Sequence, residues 1–201
     1  MPKKVDHDER RRHIAEAVLR VAGRDGLDGA TLRDVAVEAG ISLGSVQHYF
    51  RNKDEMLRYV VGYLGEQVTA RIVAGMRDHA APGPVRSFLL SMAAEMLPLD
   101  DRRRAERRAG QAFTARAVDV PELGEALRYG DRWLHGRVAE LIGRGGRDGE
   151  LRPELDAERE AVVLLAMIEG LATDILLGMR DPGEATETVR YHLDRLTPQG
   201  S

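Results

Sequence analysis

The fold is decided by residues 31–50, which have the sequence TLRDVAVEAGISLGSVQHYF. Thr31 begins the pattern T-L-R-D, in which the threonine side chain caps a helix and an acidic residue follows three positions later. Gly40 ends this helix, and Ser42 caps a second helix of about eight residues. Two short helices joined by a tight, glycine-containing turn have the layout of a helix-turn-helix, whose second helix enters the major groove of DNA.

The second of these helices carries side chains that suit the major groove. The groove is about 12 Å wide and accepts one helix, provided that the leading side chains are small or polar enough to approach the base edges. A glycine removes a side chain at the closest approach, and a glutamine can form two hydrogen bonds with adenine. The predicted base contacts are therefore Leu43, Gly44, Gln47 and His48.

Polar residues at or near the ends of these helices suit contacts with DNA phosphates. Such contacts hold a helix in register without distinguishing one base from another. The predicted phosphate contacts are Thr31, Ser42, Ser45, Tyr49 and Lys53. Lys3 and Lys4 lie ahead of the first predicted helix, and we expect them to form a flexible arm that reaches the DNA backbone or the minor groove.

The helical spacing of apolar residues continues on both sides of this stretch. Ile14, Val18 and Val21 share one face of a first helix, which Gly26 ends. Asn52 caps a long fourth helix. Later helices are predicted near residues 84–97, 100–118, 121–143, 154–179 and 183–196. Since no segment alternates with the period of two that strands have, the predicted fold is all-α, with about nine helices.

The composition excludes several classes of protein. The chain has 201 residues, of which 43% are hydrophobic, and this is enough to fill a core. Its net charge of -3 argues against a long disordered tail and against a binder of bulk polyanions. The absence of cysteine excludes disulfides, thiolate metal sites and cysteine nucleophiles. The amino terminus is too polar for a signal peptide, so we expect a cytoplasmic protein.

The run from Ile14 to Leu57 resembles the DNA-binding domain of the TetR/AcrR family of bacterial transcriptional regulators. The likeness is strongest over TLRDVAVEAGISLGSVQHYFRNKDEML, which begins at Thr31. Family members usually have tyrosine where this chain has Gln47, so the usual tyrosine contact is absent. The resemblance implies an all-helical homodimer, a variable carboxy-terminal ligand-binding domain, and repression that is relieved when a small molecule binds. Residues 154–196 more weakly resemble BetI-type regulators, whose last two helices form the dimer interface.

We therefore expect two domains. Residues 1–53 form a three-helix, helix-turn-helix DNA-binding domain, and residues 54–201 form a helical domain for ligand binding and dimerisation. The fourth helix, from residue 53, links them. The expected partners are a double-stranded DNA operator, a second copy of the chain and an unknown small-molecule effector. No cofactor, metal ion or membrane is expected.

The segment from Val162 to Met179 independently predicts a dimer. Its only strongly polar side chains are Glu169, Thr173 and Asp174, so the helix is apolar nearly all round and must be covered on both sides. Its own domain covers one face and a two-fold-related copy covers the other, with Gly170 and Gly178 allowing close approach. Two carboxylates argue against a transmembrane helix. The predicted interface residues are Leu164, Ile168, Leu171, Ile175, Val189, Leu193 and Leu196.

Methionine and aromatic side chains form the adaptable apolar walls that are typical of ligand cavities. The predicted pocket residues are Phe88, Met92, Met96, Phe113, Trp133, Met167 and Glu169. The alternative is that most of them are ordinary core residues. Glu169 and Asp174 interrupt an apolar helix, and a buried carboxylate is costly without a partner. We expect them to cap a helix, to pair with Arg116 or Arg137 within the domain, or to contact a cationic ligand.

Three other patterns have competing interpretations. GISLG, residues 40–44, matches the nucleophile elbow of hydrolases, but the elbow needs a preceding strand and here a capped helix precedes it. GRGGRDG, residues 143–149, lacks the strand-turn-helix context of a phosphate loop, so we predict a simple loop. The arginine-rich residues 102–108 are interpreted as a solvated helix face, with a second nucleic-acid or acidic-partner site as the alternative.

The main hypothesis is a ligand-relieved transcriptional repressor that binds a pseudo-palindromic DNA site as a homodimer. The alternative is a helical small-molecule-binding protein or an enzyme with no DNA role. Because the sequence has no metal-ligand cluster, phosphate loop or supported catalytic triad, we expect no enzymatic activity. A third hypothesis keeps the DNA-binding module but activates transcription, or works without a ligand.

Overall fold

The computed structural model describes the backbone of residues 2–27, 29–77 and 84–198, and the side chains of residues 7–27, 29–74 and 84–198. Within these ranges the regular secondary structure is entirely α-helical, which confirms the predicted fold class. The helices of the described part are α1 (Pro2–Asp25), α2 (Leu32–Ala39), α3 (Leu43–Tyr49), α4 (Lys53–Arg77), α5 (Val85–Met96), α6 (Asp101–Ala117), α7 (Pro121–Arg147), α8 (Ala157–Leu176) and α9 (Pro182–Leu196).

The ends of the first helices follow the predicted capping residues. Gly26 has a left-handed backbone (φ +75°), and its N–H donates to the Ala22 carbonyl at 3.1 Å, which ends α1. The Thr31 hydroxyl accepts a hydrogen bond from the Asp34 N–H at 3.2 Å and starts α2. Gly40 (φ +66°) ends α2. A tight turn therefore separates α2 from α3, as predicted.

Gly178 has a different role from the predicted one. We expected it to allow close approach within an apolar helix, but α8 ends at Leu176 and Gly178 (φ +70°) forms a left-handed stop. The Met179 N–H donates back to the Asp174 carbonyl at 2.9 Å, a pattern typical of a helix end.

The predicted loop at residues 143–149 is also corrected. α7 continues to Arg147, and the chain turns at Gly149 (φ +75°). A Cβ atom on Gly145 would lie 2.9 Å from the side chain of Leu151, which is fully buried. Glycine in the last turns of α7 therefore lets the following segment pack closely against the helix.

The described residues form two compact units. One comprises residues 1–67 and 104–129, and the other comprises residues 68–103 and 130–201. α4, α6 and α7 therefore contribute residues to both units. The units are defined by packing and are not the two predicted sequence segments; the functional boundary at residue 53 stays a prediction.

Each unit has its own hydrophobic core. The first core includes Ile14, Val18, Val46, Phe50, Leu57 and Phe113. The second core includes Leu89, Met92, Ile142, Leu164, Ile168, Val189 and Leu193. Among the described helices, none combines the length and the apolar content needed to cross a membrane.

Candidate nucleic-acid interface

α3 is anchored on one side. Ser42 caps the helix and accepts a hydrogen bond from the Ser45 N–H at 3.1 Å. Val46 and Phe50 are fully buried in the core of the first unit. Because a helix of this length is marginal by itself, these contacts hold α3 in place.

The other side of α3 carries three of the four predicted base contacts. Gly44, Gln47 and His48 are exposed. Outside its own helix, the described atom nearest to a Cβ placed on Gly44 is the Ser42 hydroxyl oxygen, at 3.9 Å, so the backbone is open to an approaching partner. Leu43 is half-buried and packs against the core, which leaves only part of its side chain for contact with DNA.

Three of the predicted phosphate contacts have hydroxyl groups that already bond within the chain. Thr31 Oγ1 donates to the Asp34 carboxylate, and the hydroxyl oxygens of Ser42 and Ser45 lie 2.9 Å apart. A hydroxyl has one hydrogen to donate, and a phosphate oxygen accepts. At Thr31, a phosphate contact therefore requires the hydroxyl hydrogen to turn away from Asp34.

Lys53 has a structural partner that sequence reasoning missed. Its Nζ atom donates to the main-chain carbonyl oxygen of Leu27 at 2.5 Å, and the side chain is half-buried. The bond ties the start of α4 to the segment between α1 and α2. One of the three ammonium donors is thus occupied within the chain.

The predicted amino-terminal arm is helical. α1 begins at Pro2, so the backbone of Lys3 and Lys4 lies in its first turn and not in a flexible segment ahead of it. Proline suits the first position of a helix, and the charged residues that follow are acceptable helix formers. The side chains of both lysines lie outside the described residues.

Side chains from α1 hold α2 in place. His13 Nε2 lies 2.9 Å from the Ala39 carbonyl oxygen, at the end of α2. Glu38 accepts hydrogen bonds from Arg20 at 2.8 Å and from Arg24 at 3.1 Å. These bonds, from Arg20 first and then from Arg24, lower the pKa of the Glu38 carboxyl. They fix the helix that precedes the turn into α3.

Two further α1 residues contact the aromatic residues at the end of α3. The ring of Tyr49 lies 4.8 Å from that of His7 and 5.0 Å from that of His48, measured between centroids, in edge arrangements. Arg11 lies over the ring of Phe50, 4.9 Å from its centroid. Sequence reasoning did not select His7 or Arg11, although their spacing of four residues places them on one face of α1.

The predicted ligand-pocket residues do not form one group. Four of them lie in or against the core of the second unit: Phe88, Met92, Met96 and Met167. Phe113 is buried in the core of the first unit instead, because α6 from residue 104 onward packs with the amino-terminal helices. Trp133 is 45% exposed, and Glu169 is exposed.

The partners proposed for the α8 carboxylates also need correction. Arg116 and Arg137 both pair with carboxylates other than Asp174. Asp174 pairs instead with Arg180, which follows the left-handed turn at the end of α8. The observed ion pairs are Asp174–Arg180, Arg116–Asp54 and Arg137–Glu140.

The predicted dimer residues lie on the inner face of their helices. All seven belong to the core of the second unit and are at most 7% exposed: Leu164, Ile168, Leu171, Ile175, Val189, Leu193 and Leu196. They cannot form a contact surface unless that core opens. Periodicity identified a helix that is apolar all round but did not distinguish its two faces. The exposed outer face of α8 carries small apolar residues together with charged ones: Glu158, Arg159, Val162, Val163, Ala166, Glu169 and Gly170.

The arginine-rich part of α6 is not a uniformly solvated face. Arg103, Arg104 and Arg107 are half-buried. Arg103 Nη2 donates to Glu95 Oε1 at 2.6 Å, and Arg71 Nε donates to Glu95 Oε2 at 3.0 Å. One α5 carboxylate thus receives charge-assisted hydrogen bonds from α4 and from the start of α6.

Two family descriptions match the chain. Residues 14–60 match bacterial regulatory proteins of the tetR family, and residues 85–198 match the carboxy-terminal part of BetI-type transcriptional repressors. Over 197 residues, the chain is 36% identical to the HTH-type transcriptional regulator PksA of Bacillus subtilis (strain 168), a match that covers 98% of this chain and 88% of PksA.

Solved structures agree with this assignment. A transcriptional regulator from Rhodococcus sp. Rha1 superimposes with a TM-score of 0.80 at 29% identity, covering 92% of this chain and 95% of that one. A protein from Saccharomonospora viridis, described as a transcriptional regulator in complex with choline, superimposes with a TM-score of 0.79 at 26% identity. That match covers 93% of this chain and 94% of the other.

Proposed function

We propose a function from one premise: the chain belongs to the TetR family of bacterial transcriptional regulators. It is accordingly a regulator of transcription with a helix-turn-helix, and not an enzyme. We propose that it represses transcription as a homodimer bound to a pseudo-palindromic operator, and that it releases this DNA when a small molecule binds. Chromosomal DNA lies in the bacterial cytoplasm, where we propose that the protein acts.

The observation that carries the DNA-binding role is the exposed side of α3. Gly44, Gln47 and His48 are exposed while Val46 is fully buried, so the helix has a free side that a groove can receive. In this proposal Gln47 forms the two-bond pair with adenine, and Tyr49 and the predicted hydroxyl groups contact phosphates.

The outer face of α8 supports the homodimer. Val162 and Val163 are 54% and 49% exposed, and Ala166 and Gly170 lie on the same face. A two-fold-related copy that covers these apolar residues removes them from water, which stabilises the pair, while the exposed Arg159 and Glu169 on the same side suit polar contacts. Two α3 helices held about 34 Å apart, or a small multiple of this distance, then meet two half-sites.

A small-molecule effector is supported by the similar protein that was solved with choline. In this chain, α4 contributes residues to both units. We propose that a ligand in the second unit shifts α4 and thereby changes the spacing of the two α3 helices. Trp133 is the only tryptophan in the sequence, so its emission is a reporter. With choline as the probe, changed emission together with release of bound DNA supports relief by a cationic ligand.

The DNA-binding role is tested by selecting duplexes from a random-sequence library with the full chain. The dissociation constant of the recovered duplex is then measured by fluorescence anisotropy at several salt concentrations. We expect steeply salt-dependent binding. We also expect Gln47→Ala to weaken binding by about 5- to 150-fold, the effect of losing one two-bond base contact. Failure of the wild-type chain to prefer any sequence would count against the proposal.

A further inference from the structure

The core-facing side of α1 continues towards its amino terminus, where it contacts the aromatic residues Tyr49 and Phe50 at the end of α3. His7, Arg11 and Ile14 lie four and three residues apart, so they share one face of the helix. Ile14 is fully buried in the core of the first unit. Towards the amino terminus, the face that carries Ile14 therefore continues as Arg11 and His7.

Arg11 anchors this part of α1 against two aromatic rings. Its Cζ atom lies 4.9 Å from the centroid of Phe50 and 4.5 Å from the centroid of Tyr59, distances at which a guanidinium is attracted to a ring face. Its Nε atom is buried and has no hydrogen-bond partner among the described residues. Arg11 therefore contacts both the residue that follows α3 and a residue of α4.

His7 lies one turn from Arg11 and contacts Tyr49. The two rings are 4.8 Å apart with an angle of 64° between their planes, and His48 approaches Tyr49 from its own helix at 5.0 Å and 83°. Edge arrangements of this kind are favourable between aromatic rings. Because Tyr49 is only half-buried, packing against the core does not fully determine the orientation of its ring. The two imidazole rings restrict that orientation further. His7 itself is exposed, so its removal opens no cavity.

We propose that His7 is a positioning residue for DNA binding, which holds the ring of Tyr49 so that the Tyr49 hydroxyl meets a backbone phosphate beside the groove. The inference rests on the proposed function, because it requires α3 to lie in the groove. A ring that is already oriented loses less conformational entropy when DNA binds than a freely rotating ring does. Arg11 supports the arrangement by keeping the first turns of α1 over α3.

The test uses the full chain and the duplex recovered by selection from the random-sequence library. We expect His7→Ala to weaken binding by about 2- to 10-fold, which corresponds to the cost of ordering one freely rotating side chain when DNA binds. His7→Phe keeps an aromatic edge and restores most of the affinity. In a Tyr49→Phe background, which lacks the hydroxyl, His7→Ala causes little further loss. The thermal unfolding of His7→Ala matches that of the wild type.

The salt dependence separates positioning from an ion pair between His7 and a phosphate, and the additivity with Tyr49→Phe covers an uncharged contact. A cationic side chain that neutralises a phosphate changes the slope of log affinity against log salt concentration by about 0.9. Positioning through Tyr49 leaves this slope unchanged in His7→Ala. A reduced slope would show that His7 contacts the phosphate itself and would overturn the inference, as would full additivity with Tyr49→Phe or wild-type affinity of His7→Ala. If the wild-type chain selects no duplex, the proposed function fails. If Gln47→Ala weakens binding and His7→Ala does not, only the inference fails.

Discussion

The Nζ atom of Lys53 donates a hydrogen bond to the main-chain carbonyl oxygen of Leu27 at 2.5 Å. Lys53 is the first residue of α4, and Leu27 lies between α1 and α2. The bond therefore joins two segments that are 26 residues apart in the chain. A substitution at Lys53 consequently changes the folded domain as well as any contact with phosphate.

We expect Lys53→Ala to lower the free energy of unfolding by about 1–2 kcal/mol, because a half-buried carbonyl loses a charged donor. Urea unfolding of the full chain measures this change. Gln47→Ala is the control, since its exposed side chain leaves the free energy of unfolding unchanged. Identical unfolding curves for Lys53→Ala and the wild type would mean that the bond contributes nothing to stability.

Substitutions at two neighbouring residues of α8 test the proposed dimer surface and the core separately. Val163 is 49% exposed, whereas Leu164 is fully buried. We expect Val163→Glu to yield monomers in analytical ultracentrifugation with unchanged helicity, because a charge replaces an exposed apolar side chain on the outer face of α8. We expect Leu164→Ala to lower the free energy of unfolding by about 2–5 kcal/mol through the cavity that it leaves. A stable dimer of Val163→Glu would argue against this face as the interface.

Two glycines of α7 provide a matched pair for the packing at its end. In Gly145→Ala the new methyl group meets the Leu151 side chain at 2.9 Å, so we expect a loss of about 1–3 kcal/mol in the free energy of unfolding. In Gly136→Ala the new group meets no described atom within 4 Å apart from the neighbouring backbone of its own helix, and alanine's higher helix propensity raises the free energy of unfolding by up to about 1 kcal/mol. Thermal unfolding midpoints that shift in the same direction would contradict this explanation.

His192 predicts a pH dependence of stability. Burial lowers its pKa; Glu160, whose Oε2 lies 3.6 Å from His192 Nε2, opposes the shift, and Arg195 adds to it. The unfolded chain therefore binds a proton on His192 at a higher pH than the folded chain does. The contribution of this residue to stability is complete above the ordinary histidine pKa of 6.5 and is lost as the pH falls from there through the lower pKa of the folded state.

Unfolding midpoints measured between about pH 7 and pH 5 test this dependence. We expect His192→Gln to reduce the decrease seen in the wild type, because glutamine does not titrate. The comparison of variant with wild type removes the contribution of the carboxylates, which titrate in both proteins. Parallel curves for the two proteins would exclude His192 as a source of the dependence.

The helices and the exposed side of α3 were predictable because their signals are local. Ser42 and Thr31 cap the helices that they were expected to cap, and Gly26 and Gly40 end helices in the left-handed conformation. Of the residues predicted to face DNA, Gly44, Gln47 and His48 are exposed. The contact of Tyr49 with His7 was harder to predict from the sequence, because it joins the first and third helices.

By itself the sequence determined the helices, most of their ends, and the side of α3 that remains free, because capping and the 3.6-residue repeat act over a few neighbouring residues. Only the tertiary structure decided that Leu164 lies inside and Val163 outside, that Phe113 joins the amino-terminal core, and that Lys53 meets Leu27. These outcomes depend on which of several apolar or polar surfaces come together. Which surfaces pack together is determined by contacts between residues that are distant in the chain.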